Sequence, residues 1–158
     1  MAKGETAAER HVRLNDITAK FHIFDVPKDT KTSALDMAAA GDISPARLFK
    51  TLIVQADDGP LVCTIVPADK ELDRKKLARH LKKKRIDLAS KDLAIKTSGY
   101  QMGACSPLGQ RKKLPTMIDD SATNFETIFV SGGALSLQME IAPSALIEAT
   151  KAETLSLA

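Results

Sequence analysis

The residue that most directly suggests chemistry is Lys50, a cation at the head of an otherwise apolar, strand-like segment that continues through Leu52 and Val54. From chemistry alone, two interpretations of such a lysine stay open. In one, the aliphatic stem packs on apolar neighbours while the ammonium reaches water. In the other, a partly desolvated ammonium holds an anionic or carbonyl-bearing group, because its field is stronger away from bulk water.

A second candidate is the long loop predicted over residues 97–115, which lacks helical or strand periodicity and carries Gly99, Gly103 and Gly109. Glycine brings backbone N–H groups close to a ligand, which suits recognition of a carbonyl or an oxyanion. Long loops of this kind form sites more often than plain connections. The glycine pair at 132–133 offers the same backbone, although a turn after a strand explains it equally well.

Other chemistries lack their residue patterns. The chain contains no Gly-x-Ser-x-Gly elbow, no His-Glu-x-x-His helix and neither of the common glycine-rich phosphate-binding motifs. Its three histidines lie near no cysteine or acidic cluster with ligand spacing, so we expect neither a metal nor a cofactor. Cys105 lies in the loop, but no base that would form its thiolate is identifiable. The search therefore finds no protein nucleophile or general base.

Charge is distributed unevenly along the chain. Residues 70–113 hold 14 Lys and Arg against 4 Asp and Glu, whereas the whole chain of 158 residues carries a net charge of +3. This asymmetry suggests a face for a polyanion such as nucleic acid, although a solvated helix surface would explain it equally well. No apolar run approaches a membrane span, residues 1–20 form no secretory signal, and two cysteines are too few for a disulfide framework. We expect a cytoplasmic protein that does not enter the membrane.

The elements predicted to position these residues are short and mixed in type. Helices are predicted at residues 5–15, 33–40, 73–85, 90–96 and 143–150, with a polar connector at 28–31. Strands are predicted at 21–26, 48–54, 61–66, 116–119, 127–131 and 137–141, the second and third forming a hairpin. We therefore predict one domain over residues 1–158 with an α+β fold around a largely antiparallel or mixed sheet.

Five short motifs occur in order along the chain. They are Arg-Leu-Phe-Lys-Thr-Leu at 47–52, Thr-Ser-Gly-Tyr-x-x-Gly at 97–103, Ser-Pro-Leu-Gly-Gln at 106–110, Leu-Pro-Thr at 114–116 and Val-Ser-Gly-Gly at 130–133. Taken together, over about residues 12–150, the sequence resembles the YbaK family of Cys-tRNA(Pro) deacylases, which is related to the editing domain of bacterial prolyl-tRNA synthetases. The resemblance implies a curled, barrel-like mixed sheet flanked by short helices, with a pocket for the aminoacylated 3′ end of tRNA.

The resemblance also implies a reaction. It is cleavage of the ester between a mischarged cysteine and the terminal ribose of tRNA(Pro), with Cys-tRNA(Cys) as a further substrate. In the family account, the substrate's own thiol attacks its carbonyl and the cysteine departs as a cyclic thiolactone. Catalysis would then consist of positioning and charge stabilisation, with no cofactor. Aminoacyl-tRNA is the implied partner, together with prolyl-tRNA synthetase.

Site residues follow from the resemblance by position. Lys50 and Gly103 are the predicted catalytic residues, Lys50 holding the carbonyl or the terminal ribose and Gly103 bringing backbone close to the substrate. The predicted substrate-binding residues are Phe24, Ser33, Thr51, Ser131, Gly132 and Gly133. The predicted tRNA-binding residues, which would make non-specific phosphate contacts, are Arg74, Lys75, Lys82, Lys83, Arg111, Lys112 and Lys113.

Three places depart from the family pattern and bear on the wall that faces the amino acid. Phe24 stands where Tyr is frequent, Ser33-Ala34 where Phe-Gly is frequent, and Ala104-Cys105 where Gly-Ile is frequent. Two alternatives therefore stay open. One is a deacylase for another small amino acid, such as alanine on tRNA(Pro). The other is a non-catalytic tRNA-binding or synthetase-associated module that keeps the fold.

Overall fold

The computed structural model describes residues 4–26 and 33–158. The described residues form five α-helices: α1 (Ala7–Leu14), α2 (Ala34–Ala40), α3 (Arg74–Leu81), α4 (Lys91–Ser98) and α5 (Pro143–Thr150). They form eight strands: β1 (Ala19–Ile23), β2 (Phe49–Ala56), β3 (Leu61–Pro67), β4 (Ile86–Leu88), β5 (Thr116–Asp119), β6 (Ile128–Ala134), β7 (Leu137–Ile141) and β8 (Glu153–Leu155). A 3₁₀-helix covers Asp120–Asn124. The connector predicted at 28–31 lies outside the described residues.

The strands form two sheets. In the smaller one, β7 lies between β1 and β6 and pairs antiparallel with both. The larger one has the order β4-β2-β3-β5-β8, antiparallel from β4 to β3 and parallel from β3 to β8. A bridge between Leu48 and Phe129 links the two sheets at the head of β2. The predicted α+β class with mixed pairing is confirmed, and neither sheet closes on itself among the described strands.

The largest cluster of buried apolar side chains lies where the two sheets meet α1 and α5. Phe49 and Ile65 of the larger sheet join Val130 and Met139 of the smaller one in this cluster, and each is at most 1% exposed. Full burial of side chains of this size stabilises a fold by about 1.5–3 kcal/mol each. A separate cluster packs Leu77 of α3 against β2 and β3. Of the described helices, none combines the length and apolarity needed to cross a membrane.

Three of the predicted helices begin at a residue whose side chain caps the helix. Thr6 and Ser33 form capping boxes at α1 and α2, and the Ser90 hydroxyl accepts a hydrogen bond from the backbone N–H of Leu93 at 3.2 Å. The third helix ends earlier than the predicted residue 85, because Lys82 adopts a left-handed conformation with φ 57°. The chain then turns into β4, which the sequence did not predict. β8, another three-residue strand, was also missed.

Candidate active site

A cavity of about 270 Å³ opens beside the first half of β2. β4 pairs with Val54–Ala56 only, so the preceding residues of β2 face the cavity instead of a β4 neighbour. The loop between α4 and β5, residues 99–115, is called the glycine loop here. The remaining wall includes Met37 of α2, Ala94 of α4, Met102 of the glycine loop and Gln138 of β7. Apolar side chains with a few convergent polar groups are the usual lining of a small-ligand site.

Five of the eight residues predicted for catalysis and substrate binding line this cavity. Lys50 and Thr51 come from β2, Gly103 from the loop, Ser131 from β6 and Ser33 from the N-cap of α2. These residues belong to four separate parts of the chain, so it is the fold that brings them together. None of the seven residues predicted to bind tRNA is among the described lining residues.

The other three predicted substrate-binding residues are not among the residues that line the cavity. Phe24 is 8% exposed and packs in a cluster with Met37 and Phe129, its ring centroid 5.6 Å from that of Phe129. A Cβ on Gly132 would lie 2.8 Å from the Cγ atom of Leu137, so this glycine permits a close approach within the β6–β7 hairpin. Gly133 has φ +101°, a conformation that glycine adopts without strain.

Lys50 carries the charge among the described lining residues. Its side chain is 22% exposed, and its Nζ atom lies 3.7 Å from an Oε1 atom of Glu71, whose own side chain is 95% exposed. An ion pair at this distance with a solvated carboxylate contributes little to stability. The ammonium is therefore available to an anionic or carbonyl group that enters the cavity.

The chain just before Lys50 is held by a network around Arg47. The Nε atom of Arg47 donates to the backbone carbonyl of Thr127 at 2.8 Å, and its guanidinium pairs with Glu140 at 3.2 Å and lies 4.9 Å above the Phe129 ring. Hydrogen bonds from Thr127 and then His22, together with the charge of Arg47, hold the pKa of Glu140 below its usual value against the opposing effect of burial. These contacts fix the entry into β2 and so position Lys50.

The glycine loop is closed at its base and packed within. The backbone N–H of Arg111 donates to the carbonyl of Ser98 at 2.9 Å, which brings the two ends of the loop together. Inside it, the Tyr100 hydroxyl donates to the carbonyl of Leu108 at 2.5 Å, and both residues are buried. A compact loop with close ends is a common frame for a site. The predicted loop is confirmed, except that α4 continues to Ser98 before it begins.

Ser131 ties the loop to the smaller sheet. Its hydroxyl donates to the backbone carbonyl of Ala104 at 3.0 Å and accepts from the backbone N–H of Gly133 at 3.1 Å. Gly103, one residue earlier, has φ +84°, and a Cβ there would meet only the Leu135 side chain, at 3.6 Å. Glycine is therefore required at this position by backbone conformation rather than by space.

Two thiols lie near this loop and both favour the protonated form. Burial raises the pKa of Cys63 to about 12 and that of Cys105 to about 11. The side-chain nitrogen of Gln110 lies 3.5 Å from the Cys63 sulfur and 3.9 Å from the Cys105 sulfur. Cys105 lines the cavity, yet at neutral pH it lacks the thiolate that a nucleophile needs.

The seven residues predicted to bind tRNA fall into two groups in the structure. Arg111, Lys112 and Lys113 are exposed at the base of the glycine loop. Arg74, Lys75, Lys82 and Lys83 are exposed on or just after α3, whose apolar side covers β2 and β3. The first group is tied to a cavity wall, because the backbone N–H of Arg111 donates to the carbonyl of Ser98, which lines the cavity.

Sequence reasoning missed Gln138. This residue is 5% exposed, lines the cavity and, like Thr51, has a buried side-chain oxygen without a hydrogen-bond partner among the described residues. Its place between Leu137 and Met139 reads as ordinary strand alternation, which predicts that the polar residue faces solvent. No sequence signal marks Gln138, because the pairing of β7 with strands on both sides is seen only in the structure.

Comparison with known proteins assigns this architecture. Residues 28–149 match the model of the aminoacyl-tRNA editing domain family. The chain is 34% identical over 150 residues to a protein of Enterococcus faecalis that carries the provisional name Cys-tRNA(Pro)/Cys-tRNA(Cys) deacylase EbsC, and the match covers 94% of this chain and 90% of that one. It is 28% identical over 132 residues to a proline–tRNA ligase of Geobacter sp., covering 84% of this chain but 22% of the ligase.

The fold agrees with these matches. A crystal structure provisionally described as a trans-editing enzyme for prolyl-tRNA synthetase superimposes with a TM-score of 0.83, covering 96% of each chain at 21% identity. The matches to the Enterococcus relative, to the family model and to the solved structure each extend over most of the chain. The protein therefore belongs to the aminoacyl-tRNA editing domain family, the YbaK-type family that its sequence resembles.

Proposed function

We propose that this protein is a trans-editing aminoacyl-tRNA deacylase that removes cysteine mischarged onto tRNA(Pro), with Cys-tRNA(Cys) as a second substrate. The observation that carries the proposal is the convergence of Lys50, Gly103 and Ser131 on one cavity whose described lining residues include no ionised nucleophile. The name of the Enterococcus relative supports the same substrates.

The reaction is a substrate-assisted cyclisation. The sulfur of the bound cysteinyl group attacks its own ester carbonyl, so that a C–S bond forms and the C–O bond to the terminal ribose breaks. The thiol proton passes to the departing ribose oxygen, and the products are a thiolactone and uncharged tRNA. This step needs no nucleophile from the protein, which accords with the protonated state of Cys105.

The protein contributes position and charge. Lys50 stabilises the negative charge that develops on the carbonyl or ribose oxygen, since a cation held in a partly enclosed site acts more strongly than one in water. Gly103 presents backbone to the carbonyl, and the hydrogen bond between Ser131 and Ala104 keeps that part of the loop in place. Ser33 and Thr51 complete the wall around the amino acid.

We further propose that tRNA lies across Arg111–Lys113 near the cavity, with additional phosphate contacts to the basic residues of α3. The bridge between Leu48 and Phe129 supports a curled, barrel-like arrangement in which both sheets, within one domain over residues 1–158, enclose the cavity. The match to part of a proline–tRNA ligase supports prolyl-tRNA synthetase as a partner in the cytoplasm.

Single-turnover deacylation of three substrates tests the reaction. We expect the protein to deacylate Cys-tRNA(Pro) and to leave Ser-tRNA(Pro) intact, because serine matches cysteine in shape but lacks the thiol. Comparable rates on the two would exclude cyclisation through sulfur. Faster turnover of Ala-tRNA(Pro) would establish the alanine specificity that the sequence left open. Stoichiometric, salt-sensitive binding without turnover of any substrate would exclude the deacylase.

A further inference from the structure

Two residues that line the cavity each have a buried side-chain oxygen with no hydrogen-bond partner among the described residues: Oγ1 of Thr51 and Oε1 of Gln138. Thr51 adjoins Lys50 on β2. Gln138 lies on β7, where its backbone registers with Ser131 on one side and His22 on the other, and the residue is 5% exposed. Buried polar atoms in folded proteins almost always have a partner, so an oxygen left without one next to a cavity indicates a ligand donor.

Three hydroxyl groups of the wall already have hydrogen-bond partners. The hydroxyl of Ser131 bonds to Ala104 and Gly133, that of Tyr100 bonds to Leu108, and that of Ser98 accepts from the backbone N–H of Tyr100. No Asp or Glu is among the described lining residues, and the charge that Lys50 supplies is positive. A cationic group in this cavity must therefore be met by neutral acceptors.

An aminoacyl ester brings such a group. Its α-ammonium carries three N–H donors and no acceptor, whereas the thiol of cysteine is a weak donor. Burying an ammonium without an acceptor is costly, and a Lys50 ammonium in the same cavity repels it. The amide oxygen of Gln138 is a strong neutral acceptor, and the Thr51 hydroxyl is a second one.

We propose that Gln138 is a specificity-determining residue, whose Oε1 atom accepts a hydrogen bond from the α-ammonium of the bound aminoacyl group. The proposal rests on the deacylase function proposed above. Gln138 distinguishes aminoacyl esters from acyl esters that lack the amine, and it turns the reacting carbonyl toward Lys50 by anchoring the other side of the α-carbon.

The test uses a pair of ligands that cannot be turned over. The first is 3′-amino-3′-deoxyadenosine that carries cysteine through an amide. The second carries 3-mercaptopropionate, which has the same thiol and carbonyl but no amine. Dissociation constants are measured by calorimetry for the wild type, Gln138→Met and Gln138→Glu. Gln55→Met is the matched control, because Gln55 does not line the cavity and donates to the carbonyl of Gly59 at the far end of β2.

We expect the wild type and Gln55→Met to bind the cysteinyl ligand about tenfold or more tightly than the mercaptopropionyl ligand. In Gln138→Met this preference falls to within about twofold, through loss of affinity for the cysteinyl ligand alone. Gln138→Glu keeps the acceptor oxygens and retains or increases the preference. An unchanged preference in Gln138→Met, or an equal loss for both ligands, overturns the proposal.

Misfolding of a variant and failure of the proposed deacylase function can each be distinguished from failure of this proposal. If Gln138→Met does not fold, as judged by circular dichroism, Gln138→Glu decides, and loss of the preference for the amine in that variant overturns the proposal. Binding of the paired ligands requires no chemistry. Failure of the wild type to deacylate Cys-tRNA(Pro) therefore counts against the proposed function, while the ratio of the two dissociation constants still reports on Gln138.

Discussion

The cavity and the basic helix α3 differ in how their polar groups are satisfied. Around α3, Asp73 caps the helix through the backbone N–H of Lys76, the Lys76 ammonium donates to Ser156 at 2.9 Å, and His80 lies 2.7 Å from a carboxylate oxygen of Glu153. In the cavity, Lys50 has one distant, solvated partner, and Thr51 and Gln138 have unpartnered oxygens. The highest density of charge along the sequence lies at α3, but the polar groups that lack hydrogen-bond partners lie at the cavity.

A surface that attracts tRNA and a lysine that acts on the substrate therefore differ in their surroundings. Exposed lysines on a helix whose opposite side packs on a sheet can attract tRNA without taking part in the reaction. A lysine with a weak partner beside an apolar cavity can act on a bound carbonyl, because nothing in the protein competes for its ammonium. The two regions should therefore respond very differently to substitution.

The largest effect is expected for Lys50→Ala. Loss of the one charge among the described cavity residues should slow single-turnover deacylation of Cys-tRNA(Pro) by about 100-fold or more, the range seen when an oxyanion-stabilising group is removed. Lys20→Ala, an exposed lysine on β1, is the matched control and should react at the wild-type rate. Similar rates for both variants would remove Lys50 from the mechanism.

Gly103→Ala should slow deacylation by about tenfold. The methyl group has room, but a non-glycine residue at φ +84° costs roughly 1–2 kcal/mol, and the loop is expected to shift to relieve that strain. Gly4→Ala is a suitable control, because Gly4 has φ +82° and nothing within 4 Å of the added methyl. Equal rates for the two variants would show that the backbone at Gly103 does not contact the substrate.

Removing the same charge from the two basic groups should separate them. We expect the double variant Lys112→Ala/Lys113→Ala to raise KM for Cys-tRNA(Pro) several-fold and to flatten its dependence on salt, because each lost phosphate contact lowers the slope by about 0.7–0.9. Lys75→Ala/Lys82→Ala should change KM by less than about twofold. Steady-state kinetics at several salt concentrations measure both changes in KM. A larger change in KM for Lys75→Ala/Lys82→Ala would show that α3 is the main tRNA-binding surface.

Cys105→Ser should change the deacylation rate by less than about twofold. Burial raises the pKa of the Cys105 thiol to about 11, so the thiol is protonated at neutral pH and contributes no nucleophile. Alkylation of the folded protein, followed by intact mass, should be slow at pH 7, should rise about tenfold per pH unit and should level off only near pH 11. A hundredfold slower Cys105→Ser variant would replace the substrate-assisted mechanism with a protein nucleophile.

The smallest effect on catalysis is expected at Asp119, which holds β8 beside the α3 region. Burial opposes ionisation of its carboxyl, but hydrogen bonds from Ser121 and from the backbone N–H groups of Leu157 and Ala158 outweigh it and hold the pKa below the usual 3.8. A lowered folded-state pKa stabilises the fold above the unfolded pKa, and this stabilisation is lost as pH falls through the folded value.

We therefore expect Asp119→Asn to be less stable than the wild type at pH 7, with the difference shrinking below about pH 4. Urea midpoints across this range measure it, and Asp120→Asn, at an exposed position, is the control. The single-turnover rate at 25 °C should stay at the wild-type value while the variant is folded. A large loss of rate in the folded variant would connect the α3 region to the reaction after all.

Local sequence signals predicted the elements well where the chemistry of the cap or the turn is local. Thr6, Ser33 and Ser90 are caps at the starts of three predicted helices, and Asp58-Gly59 lies between the two strands of the predicted hairpin. β8 could not be predicted in this way. Its three residues pair with β5 in parallel, and Asp119 holds the segment from 34 or more residues away in sequence.

The candidate site divides along the same line. Lys50, Thr51, Gly103 and Ser131 belong to sequence motifs and share the cavity. The glycines at 132 and 133 belong to the same motifs, and Phe24 was predicted by its position, but none of the three is among the residues that line the cavity. Gln138 carried no signal, because strand alternation places a polar residue on one face without saying whether water or a cavity covers that face.

Residue types at fixed spacing along the chain were sufficient to assign the family, the α+β class and the glycine loop, and they made Lys50 a candidate. The folded structure was needed to show which of these residues meet, that the Cys105 thiol is half-buried and protonated, and that Gln138 lines the cavity and has a buried, unpartnered oxygen. The physical reason is that burial and hydrogen-bond satisfaction depend on neighbours distant in sequence, so they exist only once the two sheets and α4 have packed together.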